Sequence, residues 1–313
     1  MALDLRPLTL GELLDRSFSI YRKHFWLFVG IMALPSVLAL ALSVLSLLIT
    51  AAVPTPPHDG TLQQAPAVTM RTVMWVMTLS VAVLVTVVIY FITYAVALGA
   101  TTVAVSQIYM DRPGTIRSAF TPLKGKVGRL TLLFFLVTVR IMALVIVGFI
   151  LVGASTALST VLSPILGVLV VGVGLLALGA ACTWLALRYA VAVPVAILED
   201  ESATYAIGRS VQLTEGHRGR VFILMLFSMI VAYAVLIVFQ GPFAALAFMA
   251  GPGTATYLWL NLFSAVFGAI GTALTSPLMV VAFSVLYYDL RVRKEGLDLD
   301  LMLAKLAPAG THS

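Results

Sequence analysis

The sequence predicts an all-α membrane protein, a polytopic bundle of six transmembrane helices, and three observations carry that expectation. Of 313 residues, 61% are hydrophobic and only 10% charged, with a mean hydropathy of +1.08; a soluble domain carries about a quarter charged residues. Six apolar runs, at about 25–53, 72–109, 129–153, 162–198, 219–250 and 255–288, each exceed the roughly 20 residues needed to cross ~30 Å of hydrocarbon. None alternates as a strand would, and in lipid only a helix or a closed barrel satisfies every backbone polar group.

The third observation is where Lys and Arg fall, since basic loops stay cytoplasmic. Arg6, Arg16, Arg22 and Lys23 precede the first run; Arg112, Arg117, Lys124, Lys126 and Arg129 separate the second from the third; Arg209, Arg218 and Arg220 separate the fourth from the fifth; Arg291, Arg293, Lys294 and Lys305 follow the sixth. The opposite loops contribute only Arg71, with "GASTALSTV" and "GPFAALAFMAGPGTATY" uncharged. Both termini are therefore expected in the cytoplasm of a cell-membrane protein, with the loop around His58 and Asp59 outside. The net charge of +6 reflects this bias. It does not indicate nucleic-acid binding, because no basic cluster is interleaved with aromatics in a soluble segment. The first run begins at Phe25, is too long for a signal h-region and is expected to be retained.

Each odd-numbered run is preceded by a segment with helical periodicity. In the first, Leu10, Leu13, Leu14, Phe18 and Tyr21 form one stripe, Glu12, Asp15, Arg16, Ser19 and Arg22 the other face, and Thr9 with Glu12 a capping box. Ile116, Ala119, Phe120 and Leu123 repeat the stripe before the third run, and Ala203, Ala206, Ile207, Ser210 and Val211 repeat it before the fifth. Such amphipathic helices are expected at the cytoplasmic membrane interface.

These segments share the pair Arg-Ser, at Arg16-Ser17, Arg117-Ser118 and Arg209-Ser210, and the even-numbered runs end in an acid, at Asp111, Glu199 and Asp289. The pattern predicts a threefold internal repeat within one membrane domain, residues 1–313: units at about 9–111, 112–199 and 200–289, then a cytoplasmic tail, 290–313. Each unit would cross twice, so the three would share one orientation about an axis along the membrane normal. Arg16, Arg117 and Arg209 are expected beside Asp111, Glu199 and Asp289 in a charged collar tying each surface helix to the exit of a neighbouring span.

Inside the runs, polar residues are the first functional candidates. Arg140 lies eleven residues past Arg129, about 16 Å deep and so near the midplane; a lipid-facing charge there would cost roughly 3 kcal/mol. It is expected to face the bundle interior, holding structural acceptors or an anion such as a lipid phosphate. Arg188 is a second candidate, able to reach the inner interface if Pro194 ends its span. Cys182 stands alone, without disulfide partner or metal-ligand spacing, and reads as packing. No catalytic, cofactor or metal motif is found.

Three stretches resemble a known family: "RPLTLGELLDRSFSIYRKHF", "ATYAIGRSVQLTEGHRGRVF" and "LYYDLRVRKEGLDLDLMLAKL" are similar to the glycerophosphoryl diester phosphodiesterase membrane-domain family of six-span prokaryotic proteins. The order Tyr288-Asp289-Leu290-Arg291 through Arg293-Lys294-Glu295-Gly296 is the most distinctive part, since hydropathy does not dictate it. The family's name comes from fusions to a soluble phosphodiesterase barrel, and the resemblance transfers no catalytic residues. His217-Arg218-Gly219 also opens such barrels, but here Arg220-Val221-Phe222 leads straight into an apolar run, leaving no room for a barrel and its acidic metal ligands. The expected function is that of a non-enzymatic accessory or scaffold subunit, with membrane lipids and another membrane or cytoplasmic protein as partners. The alternative is a lipid-handling or anionic-solute transport protein with a cavity reaching Arg140.

Overall fold

A computed structural model of the chain describes residues 7–52, 70–110, 112–251 and 254–296. Helices α1 (Leu10–Lys23), α2 (Phe25–Ala52), α3 (Met70–Tyr109), α4 (Ile116–Phe120), α5 (Val127–Leu162), α6 (Pro164–Tyr189), α7 (Ala192–Leu198), α8 (Ala203–Thr214), α9 (Arg218–Ala250) and α10 (Ala255–Glu295) follow in order, with a 3₁₀ turn at Thr121–Leu123. Six segments are long and apolar enough to cross a membrane: 25–49, 73–109, 127–162, 164–198, 218–250 and 255–295. The fold is an all-α polytopic helix bundle.

Local chemistry sets the ends. Thr9 caps α1 in the expected capping box with Glu12, and Thr115 and Ser118 make the same reciprocal arrangement at α4. The loop expected at "GASTALSTV" is helical instead: α5 continues to Leu162, Ser163 alone is extended, and Pro164 occupies the first turn of α6, where its fixed φ and missing N–H cost nothing. α9 likewise runs through Pro242 to Ala250, and the chain reverses near Gly251 at φ 74°. Small and apolar residues have ordinary helix propensity, and without charged flanks an apolar loop has no signal to distinguish it from a span. The fourth run is broken at Ala190–Val191, before α7 carries Pro194 in its first turn.

The spans form three hairpins, α2–α3, α5–α6 and α9–α10, with α10 also packed along α2, α3 and α1. Burial is concentrated at one end. There α1, α4, α7 and α8 surround the ends of the long helices, and the continuous core runs through Leu13, Phe28, Met32, Val105, Leu133, Val195, Leu213, Leu224 and Leu286. α10 is encircled at this charged end, with Val280, Val281, Ala282, Ser284, Val285, Leu286 and Tyr287 all buried. By contrast, no residue in the most apolar stretch of α5 is buried. That hairpin is joined by glycines: a Cβ on Gly148 would lie 2.4 Å from Leu178 Cδ1, and one on Gly174 2.6 Å from Val152 Cγ2, so the two backbones approach as only small residues permit.

Candidate functional site

Successive helical residues point about 100° apart, so three neighbours on an encircled helix reach three different elements. Tyr287, Tyr288 and Asp289 do this. The Tyr287 hydroxyl donates to Glu199 Oε1 at 2.9 Å, beyond the end of α7. The Tyr288 hydroxyl bonds Ser106 Oγ at 3.0 Å on α3, while its ring stacks on Tyr109 at 4.8 Å. Asp289, its side chain fully buried, accepts from the Leu8 backbone N–H at 2.8 Å. The order of residues in the C-terminal motif, which hydropathy leaves unexplained, follows from this geometry.

The polar groups here form three clusters. In the first, Asp289 pairs with Arg220 at 3.2 Å and with Arg293 one turn along α10 at 3.1 Å. Both arginines also donate to the Leu8 carbonyl, at 2.7 and 2.5 Å. The backbone before α1 is thus held at donor and acceptor by the start of α9 and the end of α10. In the second, Arg209 pairs with Glu199 at 3.4 Å and closely with Glu295, which also accepts from Arg291 at 2.9 Å; two carboxylates balance two guanidiniums. Burial alone would lower the Arg209 pKa, but Glu199 and Glu295 hold it above its ordinary value. In the third, Asp200 pairs with Lys126 at 2.6 Å and Arg129 at 2.5 Å, and its carbonyl accepts from Arg129 at 2.8 Å. Hydrogen bonds from Lys126 and Arg129 hold the Asp200 carboxyl below its usual range. Its φ of +57° is one that aspartate tolerates better than most residues.

The six expected collar residues are placed as follows. Arg209 and Glu199 are in contact. Asp289 takes Arg220 and Arg293. Arg16 rests 4.7 Å over the Tyr109 ring, Arg117 is exposed, and Asp111 lies outside the described residues. Sequence reasoning missed Arg220, Arg293, Glu295, Asp200 and the Leu8 backbone. The i,i+4 spacings Asp289–Arg293 and Arg291–Glu295 were visible signals for two of these pairs.

The serine of each Arg-Ser pair is its packed member. Ser17 and Ser210 are buried; Ser210 Oγ donates to the Arg188 carbonyl at 2.8 Å, and Ser118 Oγ to Gln107 Oε1 at 2.9 Å. α8 buries Ala203, Ala206, Ile207 and Ser210 of its expected stripe, adding Leu213 and Thr214. On α1 the buried line is Leu13, Ser17 and Tyr21, whereas Phe18, placed on the apolar stripe, is 45% exposed. The Tyr21 hydroxyl donates to the Leu274 carbonyl on α10. α1 therefore buries its small serine in line with Tyr21, which bonds α10, and leaves Phe18 outside.

Arg140 is exposed on α5, its guanidinium 5.9 Å over the Tyr189 ring. Tyr189 ends α6. Counted from the hairpin turn at Ser163, Arg140 lies about 35 Å along the helix, more than the ~30 Å of hydrocarbon. Measured from Arg129 instead, the same residue is about 16 Å along α5; Leu130 and Leu133 near the start of α5 are buried in the core, and Arg140, expected to face the bundle interior, has an exposed side chain. A cavity of about 210 Å³ lies elsewhere, between α2, α9 and α10, with Ser43, Gln240, Gly268 and Thr272 in its lining. Arg188 and Arg218 both face Trp184. His217 precedes α9 without a side-chain cap bond, its Nδ1 3.4 Å from the Glu215 carbonyl. No group of three or more His, Cys, Asp or Glu able to hold a metal occurs among the described residues.

Fold and site together define a polytopic helical membrane protein whose helices are cross-tied by ion pairs at one end. Residues 167–305 match the family model described as the membrane domain of glycerophosphoryl diester phosphodiesterase, which agrees with the resemblance in the second and third stretches; the first lies outside the match. The matched segment holds Glu199, Arg209, Arg220, Asp289, Arg291, Arg293 and Glu295, the side chains of the first two clusters. No curated protein and no solved structure matches the chain.

Proposed function

We propose that this protein is a non-enzymatic accessory or scaffold subunit of the cell membrane, with both termini and the charged end in the cytoplasm, and that the helical cap at that end receives its partner. The observation supporting this reading is the contrast between a densely packed, ion-tied cap and lean spans that enclose little of one another. Rigid presentation of a surface requires a cap of this kind, whereas carriage of a solute requires a path between the spans. The match to a membrane domain is compatible with the absence of catalysis. The outer face of α8, where Thr204, Tyr205, Gly208 and Gln212 are exposed, is the surface we assign to the partner.

A photo-crosslinking residue at position 205, compared with one at Leu176 on α6, tests this in intact cells. A discrete protein adduct at 205 and lipid adducts alone at 176 are expected; lipid adducts alone at both positions would overturn the reading. Labelling of introduced cysteines at 118 and 58 with an impermeant reagent tests the orientation, with modification expected only at 58.

A further inference from the structure

Every arginine in the three clusters has a carboxylate, but Arg188 and Arg218 have none among the described residues. Instead they converge on one indole. Arg188 Cζ lies 4.4 Å and Arg218 Cζ 5.7 Å from the centroid of the Trp184 ring, so the two guanidiniums are no more than about 10 Å apart. Each has a buried Nε with no hydrogen-bond partner. Arg129 and Arg220 also have such an Nε, but their terminal nitrogens are used on Asp200 and Asp289. Two like charges beside one ring, with buried donors unsatisfied, repel each other and lose hydration unless an acceptor lies between them. Cation–π contact offsets only part of that cost.

We propose that Arg188 and Arg218, both against the Trp184 ring, bind a phosphate group at the charged end of the α6–α9 face. Size permits this: with N–H···O bonds of ordinary length, two guanidiniums bridged by one phosphate stand about 8–9 Å apart, inside the limit of about 10 Å that the shared ring sets. So does electrostatics. Arg218 is the first residue of α9, and His217 leaves the first backbone N–H groups without a side-chain cap, so the helix end adds unfilled donors near the same cations. Position agrees as well. Counted from the turn at Ser163, Trp184 lies about 32 Å and Arg188 about 37 Å along α6, which places the ring at the edge of a ~30 Å hydrocarbon layer and the guanidinium among headgroups. The scaffold of the site is independent of the ligand, because α8 holds the Arg188 backbone carbonyl through Ser210. On this assignment the central residue of the His217-Arg218-Gly219 tripeptide binds an anion and does no catalysis.

The phosphate could belong to a lipid headgroup or to a soluble phosphate ester, and one experiment separates the two. Full-length protein in detergent is titrated with phosphatidylglycerol and bound lipid counted by native mass spectrometry; in parallel, lipid-free protein is titrated with methyl phosphate and followed by phosphorus NMR. For a lipid site, R188Q/R218Q should need about tenfold more phosphatidylglycerol than wild type for equal retention, with R140Q behaving as wild type. For a soluble ester, lipid retention should be unchanged while methyl phosphate binding is lost in the double variant. If neither titration depends on the two arginines, or if R140Q weakens retention equally, the proposal fails. Thermal unfolding of each variant shows whether the fold survives. If the double variant does not fold, R218Q alone serves, since no described side chain accepts a hydrogen bond from Arg218.

Discussion

The two ends of this molecule are held together by different physics. At the charged end, α10 is encircled, apolar residues from all ten described helices share one core, and three ionic clusters join elements far apart in sequence. At the far end, the α5–α6 hairpin exposes Leu158, Val161, Leu162, Ile165 and Leu176 and is joined through glycine contacts. In lipid there is no hydrophobic drive between helices, so association there rests on close packing of small residues. The cap gains from apolar burial and from buried charge pairs that are costly to break singly. Damage to the cap should therefore be global and damage to the arms local.

The largest test of that contrast is Asp289→Asn. It leaves Arg220 and Arg293 facing each other around the Leu8 carbonyl, and unfolding in detergent should show a loss of about 3 kcal/mol, the lower end for a broken buried pair because both arginines retain some solvent. A loss below about 1 kcal/mol would mean that the cluster is decorative. Next in size, Ala206→Leu places a larger side chain where α8 is fully buried; overpacking should cost about 1–3 kcal/mol in the same assay. Ser210→Ala removes the bond to the Arg188 carbonyl and should cost about 1 kcal/mol. On the arm side, Leu176→Ala, at 76% exposure, should change stability by less than about 0.5 kcal/mol, and a large effect would show that this face meets protein and not lipid.

The smallest expected effect is a pH dependence. Asp200 titrates below its unfolded value because Lys126 and Arg129 favour the carboxylate. Its contribution is therefore fully present above an unfolded pKa of about 3.9 and is lost as pH falls through the depressed folded value. Comparing wild type with Asp200→Asn across pH 2 to 5 should show the difference between them shrinking toward the acid end.

The same contrast explains what could be read in advance. The spans were legible because crossing a bilayer imposes an apolar length that nothing else requires, and the α8 stripe was legible because period 3.6 is written in the residues. Where the apolar runs ended was obscured: "GASTALSTV" carries no charge to mark a loop, and Ser163 alone separates α5 from α6. α1 showed its amphipathic period but not its rotation, since burying Ser17 and leaving Phe18 outside is set by tertiary contact, with Tyr21 bonding α10. For the charged residues, sequence patterning named Arg209, Glu199 and Asp289 as members of one collar without assigning pairs, and could not foresee that Asp289 accepts from a backbone N–H 281 residues away. Long-range ion pairs have no periodicity, whereas the i,i+4 pairs along α10 do.

The hold on Leu8 also bears on how the chain is made. Leu8 emerges from the ribosome well before its partners, which come 212 residues later in Arg220 and 281 and 285 later in Asp289 and Arg293. At 5–20 residues per second, Arg220 follows after roughly 10 to 40 s and Asp289 and Arg293 after roughly 15 to 55 s, and until then the Leu8 backbone lacks them. α10 therefore closes a much earlier part of the chain into place. A chain truncated before Asp289 would leave Leu8 unclasped, and a protease acting at the charged end would find that segment accessible as the mark of a molecule without its α10 clasp.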